Sequence, residues 1–337
     1  MNRATKNNKL IAFLYNYFPS VGGLEIALHN NFADLVKMGY ECTAVCFKQK
    51  NMQSFPNTKV FYKDGVKIIQ AKFPTHKSFL IELAQANDII FTSFFSAPHF
   101  VPFAKEMGKS VYNIVADEMC YSNKAIFRSI KDSDVVISNS FYTQARLWNY
   151  NIDSKVLFPR FYNNCFYEET ERKHFLYFNP VCHKGHNIVC HLIEKFPEQK
   201  FIIIGDCGFD LLAHRPVKKC TLPNVEYVGY IEQEELLDVY YKEAIATLVP
   251  SQVPESFNCV SAESIFRHTP VIASDYGALP ETIGGCGILV KDYSNNIAWE
   301  NTFRDFLNSD NEYNFESQKI LLDEYSNSKI LHEILQE

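Results

Sequence analysis

Short apolar runs alternate with amphipathic stretches of helical length from Leu10 almost to the C-terminus. This alternation constrains the fold more than any single motif, because strand–helix–strand order asks for parallel strands covered by helices. Leu10–Tyr15 is an apolar run ending in NYFPSVGG. A helical pattern follows from Leu24 to about Met38, with Leu24, Ala27, Leu28, Phe32, Leu35 and Val36 on one face. Gly39 is a C-cap candidate, and Glu41–Phe47 reads as the next strand. Further strands are expected at Val66–Gln70, Ile89–Thr92, Val111–Val115, Val135–Ser138 and Lys155–Phe158. Helices are expected at His76–Gln85, Pro98–Met107 and Phe141–Tyr150. A second cycle opens at Lys173. HFLYFNP reads as a strand and turn, and HKGHNIVCHLIEKFP as a helix. KFIIIGD is the nearly all-apolar strand of a sheet buried on both faces. NVEYVGY, IATLVP, TPVIASD and GILV read as strands and EQEELLDVYYKE as a helix. A helical tail runs from about Asn295 to Glu337. The fold class is α/β: two parallel-sheet domains in tandem, breaking near 162–172 and facing a cleft.

Length agrees. The chain has 337 residues, and single cores stop growing at roughly 250–300. The net charge is −6 with no long basic run, which argues against a nucleic-acid partner. Ten cysteines are scattered through the sequence, and no export signal is read. The expected state is therefore reduced, cytosolic and soluble. No window approaches the roughly 20 apolar residues that span a bilayer. A peripheral contact with the inner face of a membrane stays open.

Three segments carry chemistry. Gly22 and Gly23 in NYFPSVGGLE sit between a strand and a helix, where backbone N–H groups can meet an anion. A sharp turn explains them equally well. FNPVCHKGHN places Lys184 and Gly185 before another helix, where a diphosphate can dock. Cys182, His183, His186, Cys190 and His191 crowd the same stretch, but their spacing matches no standard zinc pattern, and no metal is expected. The third segment, Val253–Val290, holds Glu255, Glu263 and Glu281. Glu255 follows a strand end, Glu263 lies in a helix beginning near Phe257, and Glu281 closes the loop Asp275–Glu281. Gly277 is expected to supply a tight turn whose neighbouring N–H groups face a ligand. Carboxylates at separate heights suit a polyhydroxyl ligand.

These residues resemble the retaining GT-B glycosyltransferases of family 4. The resemblance rests on Pro254-Glu255-Ser256-Phe257 with Glu263, on Thr269–Asp275, and on Gly277-Ala278-Leu279-Pro280-Glu281. Gly22-Gly23-x-Glu25, Lys184-Gly185 and the run from Ser133-Asp134 to Ser140 support it. It implies a GT-B fold of two Rossmann-like domains facing an interdomain cleft. Residues 1–165 would bind the acceptor and 166–320 the donor, with a C-terminal helix, 321–337, packing back on the first domain. It also implies transfer of a hexosyl or related group from a UDP- or GDP-sugar to an acceptor hydroxyl, without a cofactor, in glycan or polysaccharide biosynthesis. The acceptor would be a saccharide, a lipid-linked saccharide or a protein.

Carried over by position, Glu255 would bind the donor sugar, Glu263 the ribose and Lys184 the diphosphate. N–H groups of Gly23, Phe257 and Asn258 would hold phosphate or sugar. Gly205, Asp206, Gly229, Tyr230 and Ile231 would form the shelf for base and ribose. Asp117 would face sugar or acceptor from the first domain, and Glu281 the sugar–diphosphate end. The family's Arg before Lys-Gly is absent from Phe178-Asn179-Pro180. Arg160 and Arg267 are the candidates to replace it. A sugar-nucleotide epimerase of the same architecture and a non-catalytic GT-B scaffold are the alternatives.

Overall fold

The computed structural model of the chain describes residues 9–14, 22–47, 55–72, 77–160, 170–210, 215–229, 231, 236–310 and 312–337. It divides into two compact units, Met1–Tyr162 with Asp323–Glu337, and Asn163–Leu322.

The first unit holds an eight-stranded sheet. Its strands are β1 (Lys9–Leu14), β2 (Glu41–Cys46), β3 (Lys59–Lys63), β4 (Val66–Gln70), β5 (Ile89–Ser93), β6 (Ser110–Val115), β7 (Val135–Ser138) and β8 (Lys155–Val156). Their spatial order is β3-β4-β2-β1-β5-β6-β7-β8. β1 is buried on both faces. Leu10, Ala12 and Leu14 pack with Leu28, Phe32 and Leu35, whereas Ile11 and Phe13 pack with Ala97, Phe100 and Val101. Helices α1 (Gly23–Lys37), α2 (Lys77–Gln85), α3 (Ala97–Glu106), α4 (Met119–Ser122), α5 (Lys124–Lys131) and α6 (Phe141–Trp148) connect the strands. Ser140 caps α6 by accepting from the Thr143 N–H, an arrangement that fixes the helix start after β7.

The parallel expectation fails at one edge. β3 pairs antiparallel with β4, through Asp64 and Gly65, both at positive φ (51° and 79°). An Asp-Gly pair of this kind makes the two-residue hairpin turn that antiparallel strands need. The strand is KVFYK, mostly exposed and flanked by lysines, which suits an edge.

The second unit holds a six-stranded sheet in the order β13-β10-β9-β14-β15-β16. The strands are β9 (His174–Phe178), β10 (Phe201–Ile204), a short hairpin of β11 (Phe209–Asp210) and β12 (Arg215–Pro216), β13 (Val225–Val228), β14 (Ala244–Val249), β15 (Val271–Ser274) and β16 (Gly287–Val290). All pairings of the six-stranded sheet are parallel. Helices α7 (His186–Lys195), α8 (Cys259–Phe266), α9 (Leu279–Ile283), α10 (Asn296–Leu307) and α11 (Phe315–Ser326) accompany them, and α12 (Ser328–Gln336) closes the chain. Three sequence expectations are corrected here. EQEELLDVYYKE forms a π-helical turn over Leu236–Tyr241, with 232–235 outside the described residues. The helix holding Glu263 starts at Cys259 rather than Phe257, because Asn258 at φ 77° leaves the helical region and caps it. Glu281 lies in the first turn of α9, a helix with a proline at its start, and not in a loop.

Candidate active site

In an open parallel sheet, ligands gather beyond the carboxyl ends of the strands, where the strand order reverses. In the second unit that reversal falls between β9 and β14. The turn after β9 carries Lys184 and the loop after β14 carries Glu255. The lysine Nζ donates to Glu255 Oε1 at 2.6 Å, so two residues 71 positions apart form one unit.

The local backbone explains the approach. After β9 the chain makes a 3-10 turn, Cys182–Lys184, whose carbonyl end is braced by the buried Tyr177 hydroxyl donating to the Lys184 carbonyl at 3.2 Å. Gly185 follows at φ 81°, and a Cβ there would lie 2.0 Å from the Pro250 carbonyl oxygen. Only a glycine lets this turn lie against the end of β14. Gly277 does the same on the other side. A Cβ there would stand 2.4 Å from the Glu255 carbonyl oxygen, and Glu255 and Gly277 form a parallel bridge. The N–H groups flanking Gly277 are thereby spoken for. Ala278 N donates to the Glu255 carbonyl and Tyr276 N to the Ser274 carbonyl. The loop positions Glu255; the expectation that those N–H groups face a ligand is corrected.

The Glu255 side chain is 10% exposed. Burial raises its pKa, but the Lys184 charge and hydrogen bonds from Lys184, Ser251 and Asn258 outweigh burial and hold the carboxyl below its ordinary value. Ser251 Oγ donates to the same Oε1. Asn258 also accepts from the Ser261 N–H and hydroxyl through its amide oxygen, so one residue caps α8 and orients the carboxylate.

Glu263, one turn into α8, accepts from the Tyr241 hydroxyl at 2.8 Å. Tyr241 is fully buried and stacks on Phe178 at the end of β9, with ring centroids 5.4 Å apart. Burial, then the Glu263 charge, pushes the Tyr241 phenol up. Cys259 links the two carboxylates: burial first, then Glu263 and Glu255, raise its thiol. Lys184, Ser251, Glu255, Asn258 and Glu263 therefore form one constellation. Below it, the Arg172 guanidinium donates to the carbonyls of Tyr241, Ala244 and His268 and to Thr269 Oγ1, tying three segments together.

Other expected residues divide. Gly205 ends β10, its N–H donating to the Val228 and Gly229 carbonyls. Asp206 beside it is exposed. Ile231 is 7% exposed and packs with Leu176, Ile202 and Tyr241, so its side chain is core and not shelf surface. Phe257 is likewise buried. Tyr230 and 15–21 lie outside the described residues. Gly22, Gly23 and Asp117 belong to the first unit. Gly22 caps α1, Gly23 begins it, and Asp117 is exposed after β6. Glu25 in the first turn of α1 has its carboxyl raised by burial. Arg160 binds Asp34 (3.3 Å) and Asp323 (3.6 Å) within the first unit, and Arg267 is 3% exposed at the end of α8. Arg160 is thus held by carboxylates of its own unit.

Of the residues weighed for zinc, His183 pairs with Asp210, His191 pairs with Glu300, and His186 meets the Lys218 carbonyl and the Cys190 thiol. Among the described residues no group of three or more His, Cys, Asp or Glu is arranged to hold a metal ion. Ser251, Tyr241, Arg172 and Asp210 escaped the sequence reading. They follow no motif: Ser251 reaches Glu255 from four residues away in the same loop, whereas the fold brings Tyr241 to Glu263, Asp210 to His183 and Arg172 to the Tyr241 carbonyl.

Known proteins share this architecture. Sucrose-phosphate synthase from Thermosynechococcus elongatus superposes with a TM-score of 0.72 at 17% identity over 98% of both chains. HepE of Anabaena, solved with UDP-glucose, gives 0.72 at 14% identity over 97% of this chain and 98% of its own. A glycosyltransferase from Rickettsia africae gives 0.69 at 15% identity over 98% of both. At such identities the likeness speaks for the fold, which is that of the GT-B glycosyltransferases. In sequence, 111 residues are 35% identical to an uncharacterized 41.2 kDa protein in the cps region of Klebsiella pneumoniae, over 32% of this chain and 29% of that protein. The match thus spans less than a third of the curated relative. Residues 168–319 match the protein-family model described as Glycosyl transferases group 1, so the second unit carries a group 1 glycosyltransferase domain.

Proposed function

We propose that the protein transfers a sugar from a nucleoside diphosphate sugar to an acceptor hydroxyl with retention of anomeric configuration. The observation that carries this is the Lys184–Glu255 pair at the strand-order reversal of a group 1 domain. Lys184 stabilises charge on the departing diphosphate, an electrostatic role that grows as the glycosidic bond breaks. Glu255, held ionised by its three donors, accepts from donor-sugar hydroxyls. Glu263 accepts from the ribose, with Tyr241 fixing its rotamer. The N–H groups of Gly23, Phe257 and Asn258 hold phosphate or sugar. Gly22 sets the start of α1, and Gly205, Asp206 and Tyr230 border the base and ribose. Asp117 serves the acceptor or sugar, and Glu281 the sugar–diphosphate end.

A UDP-sugar is the first donor to test, since a protein of the same fold was solved with UDP-glucose; a GDP-sugar is the second. Similarity to a cps-region protein supports a place in polysaccharide synthesis, with a saccharide or lipid-linked saccharide as acceptor. No helix among the described residues is long and apolar enough to cross a membrane. A peripheral contact with the inner membrane face belongs to this reading.

The test is a donor screen by thermal shift, then nucleoside diphosphate release with the best binder and cell lipid or glycan extract. Lys184→Ala is expected to cut turnover by about 100-fold or more while the protein still folds. Retained turnover in that variant would remove the leaving-group role.

A further inference from the structure

The turn that carries Lys184 also carries an imidazole–carboxylate pair that none of the roles above uses. His183 Nδ1 stands 3.2 and 3.3 Å from the two carboxylate oxygens of Asp210. The His183 backbone N–H donates to the same carboxylate at 3.2 Å. The Asp210 side chain is 0% exposed, whereas that of His183 is 25% exposed. Asp210 comes from β11, in the hairpin inserted after β10. On the other side, the Gln252 N–H donates to the His183 carbonyl at 2.8 Å. Gln252, in the loop leading to Glu255, is itself tied to the Pro250 carbonyl and to the Tyr293 carbonyl beyond β16. His183 is thus gripped by segments following three adjacent strands, β10, β9 and β14, at the reversal point of the sheet.

This arrangement fixes the chemistry of the ring. Nδ1–H donates to Asp210, which leaves Nε2 as the nitrogen outside the pair. In the imidazolium form both nitrogens donate, and a buried carboxylate supplies the counter-charge which that form needs. Asp210 from β11 is the charged group paired with the ring, and Lys184, the next residue of the turn, is paired with Glu255. Because Glu255 offsets the lysine charge, a diphosphate docking here meets less net positive charge than a lone lysine would offer. A second donor one residue away completes the subsite.

We propose that His183 is a substrate-binding residue of the diphosphate subsite, donating from Nε2 beside Lys184, and that Asp210 is its positioning residue. The proposal rests on the donor reading above and identifies how that site takes a second phosphate contact.

The test is calorimetry of the full chain with UDP-glucose, and with GDP-mannose if the first does not bind. The diphosphate of these ligands does not itself titrate near neutrality. His183→Gln, which removes the imidazole but keeps a side-chain amide, is expected to weaken binding about tenfold. Asp210→Asn is expected to weaken it by a similar factor, and His183→Arg to restore it to within about threefold of the parent. A role confined to holding the turn would move melting temperature without weakening binding, and His183→Arg would then restore nothing. If His183→Gln and Asp210→Asn bind as tightly as the parent while Lys184→Ala binds more weakly, His183 has no phosphate role and the donor reading stands. An arginine variant that folds but binds no better than the glutamine variant also overturns the proposal. If the parent binds neither sugar nucleotide, the donor reading fails and takes this one with it.

Discussion

Glu255 is a buried carboxylate held ionised by partners from two loops and a helix cap, and stability should report that state. Its carboxyl lies below the ordinary value of 4.5 because Lys184, Ser251 and Asn258 outweigh burial. A group whose folded value is depressed stabilises the fold above its unfolded value, and that contribution is lost as pH falls through the folded value. Urea denaturation of the parent and of Glu255→Gln should therefore differ most near neutrality, the parent being more stable. The gap should close as pH drops below 4.5. A gap that is constant with pH would mean the carboxylate is not paired as described. Glu263 makes a different prediction. Its carboxylate accepts from Tyr241 and, in the proposed site, from ribose hydroxyls. Glu263→Gln should weaken nucleotide-sugar binding by about fivefold to tenfold, since a charged acceptor is worth more than a neutral one. Unchanged affinity by calorimetry would remove it from the ribose subsite.

The two units are assembled from elements whose positions follow from backbone contacts as much as from side chains. Gly277 is the clearest instance. At φ 67°, with the Glu255 backbone where a Cβ would go, Gly277→Ala should destabilise by roughly 2–4 kcal/mol. It should also displace Glu255, so the melting temperature and sugar-nucleotide affinity fall together. A variant that loses stability yet binds normally would separate Gly277 from the site. Elements of this kind also decide what the sequence reveals. The parallel strands were legible as short apolar runs: Val66–Gln70, Val135–Ser138 and Gly287–Val290 fall where periodicity puts them. The β3–β4 hairpin was not, because its outer strand is a five-residue, mostly exposed run, KVFYK, with no alternation of apolar and polar residues. The β11–β12 hairpin has strands of two residues, too short to show a period. Glu255, Glu263 and Lys184 stood out through glycine and proline punctuation around them. That Lys184 bonds Glu255, or that Asp210 grips His183, depends on strand order, and strand order is not local in the sequence.

At the scale of the whole molecule, the chain leaves the second unit at α11 and finishes in the first. Ser328 opens α12 by donating to Asn31 and Asp34 of α1, each at 3.0 Å. Tyr40 meets His332 Nδ1 at 2.7 Å, and the Gln336 amide donates to the Tyr40 hydroxyl at 3.0 Å. Leu331, Ile334 and Leu335 join the core built by β1, β2 and α1. Burying three such side chains is worth roughly 5–9 kcal/mol as an upper estimate, comparable to the whole stability of an ordinary domain. The core clusters of the second unit contain none of these residues. Deleting residues 327–337 should therefore act on one unit alone. Hydrogen exchange is the measurement that separates them. Amides of β1, β2 and β5 should lose protection, while those of β9, β10 and β14 keep theirs. The second unit should retain its proposed nucleotide binding even as acceptor-dependent turnover disappears. Equal protection of β1 and β2 with and without α12 would show that the first core stands without the returning helix. Equal loss in both sheets would show that the two cores fold as one cooperative body.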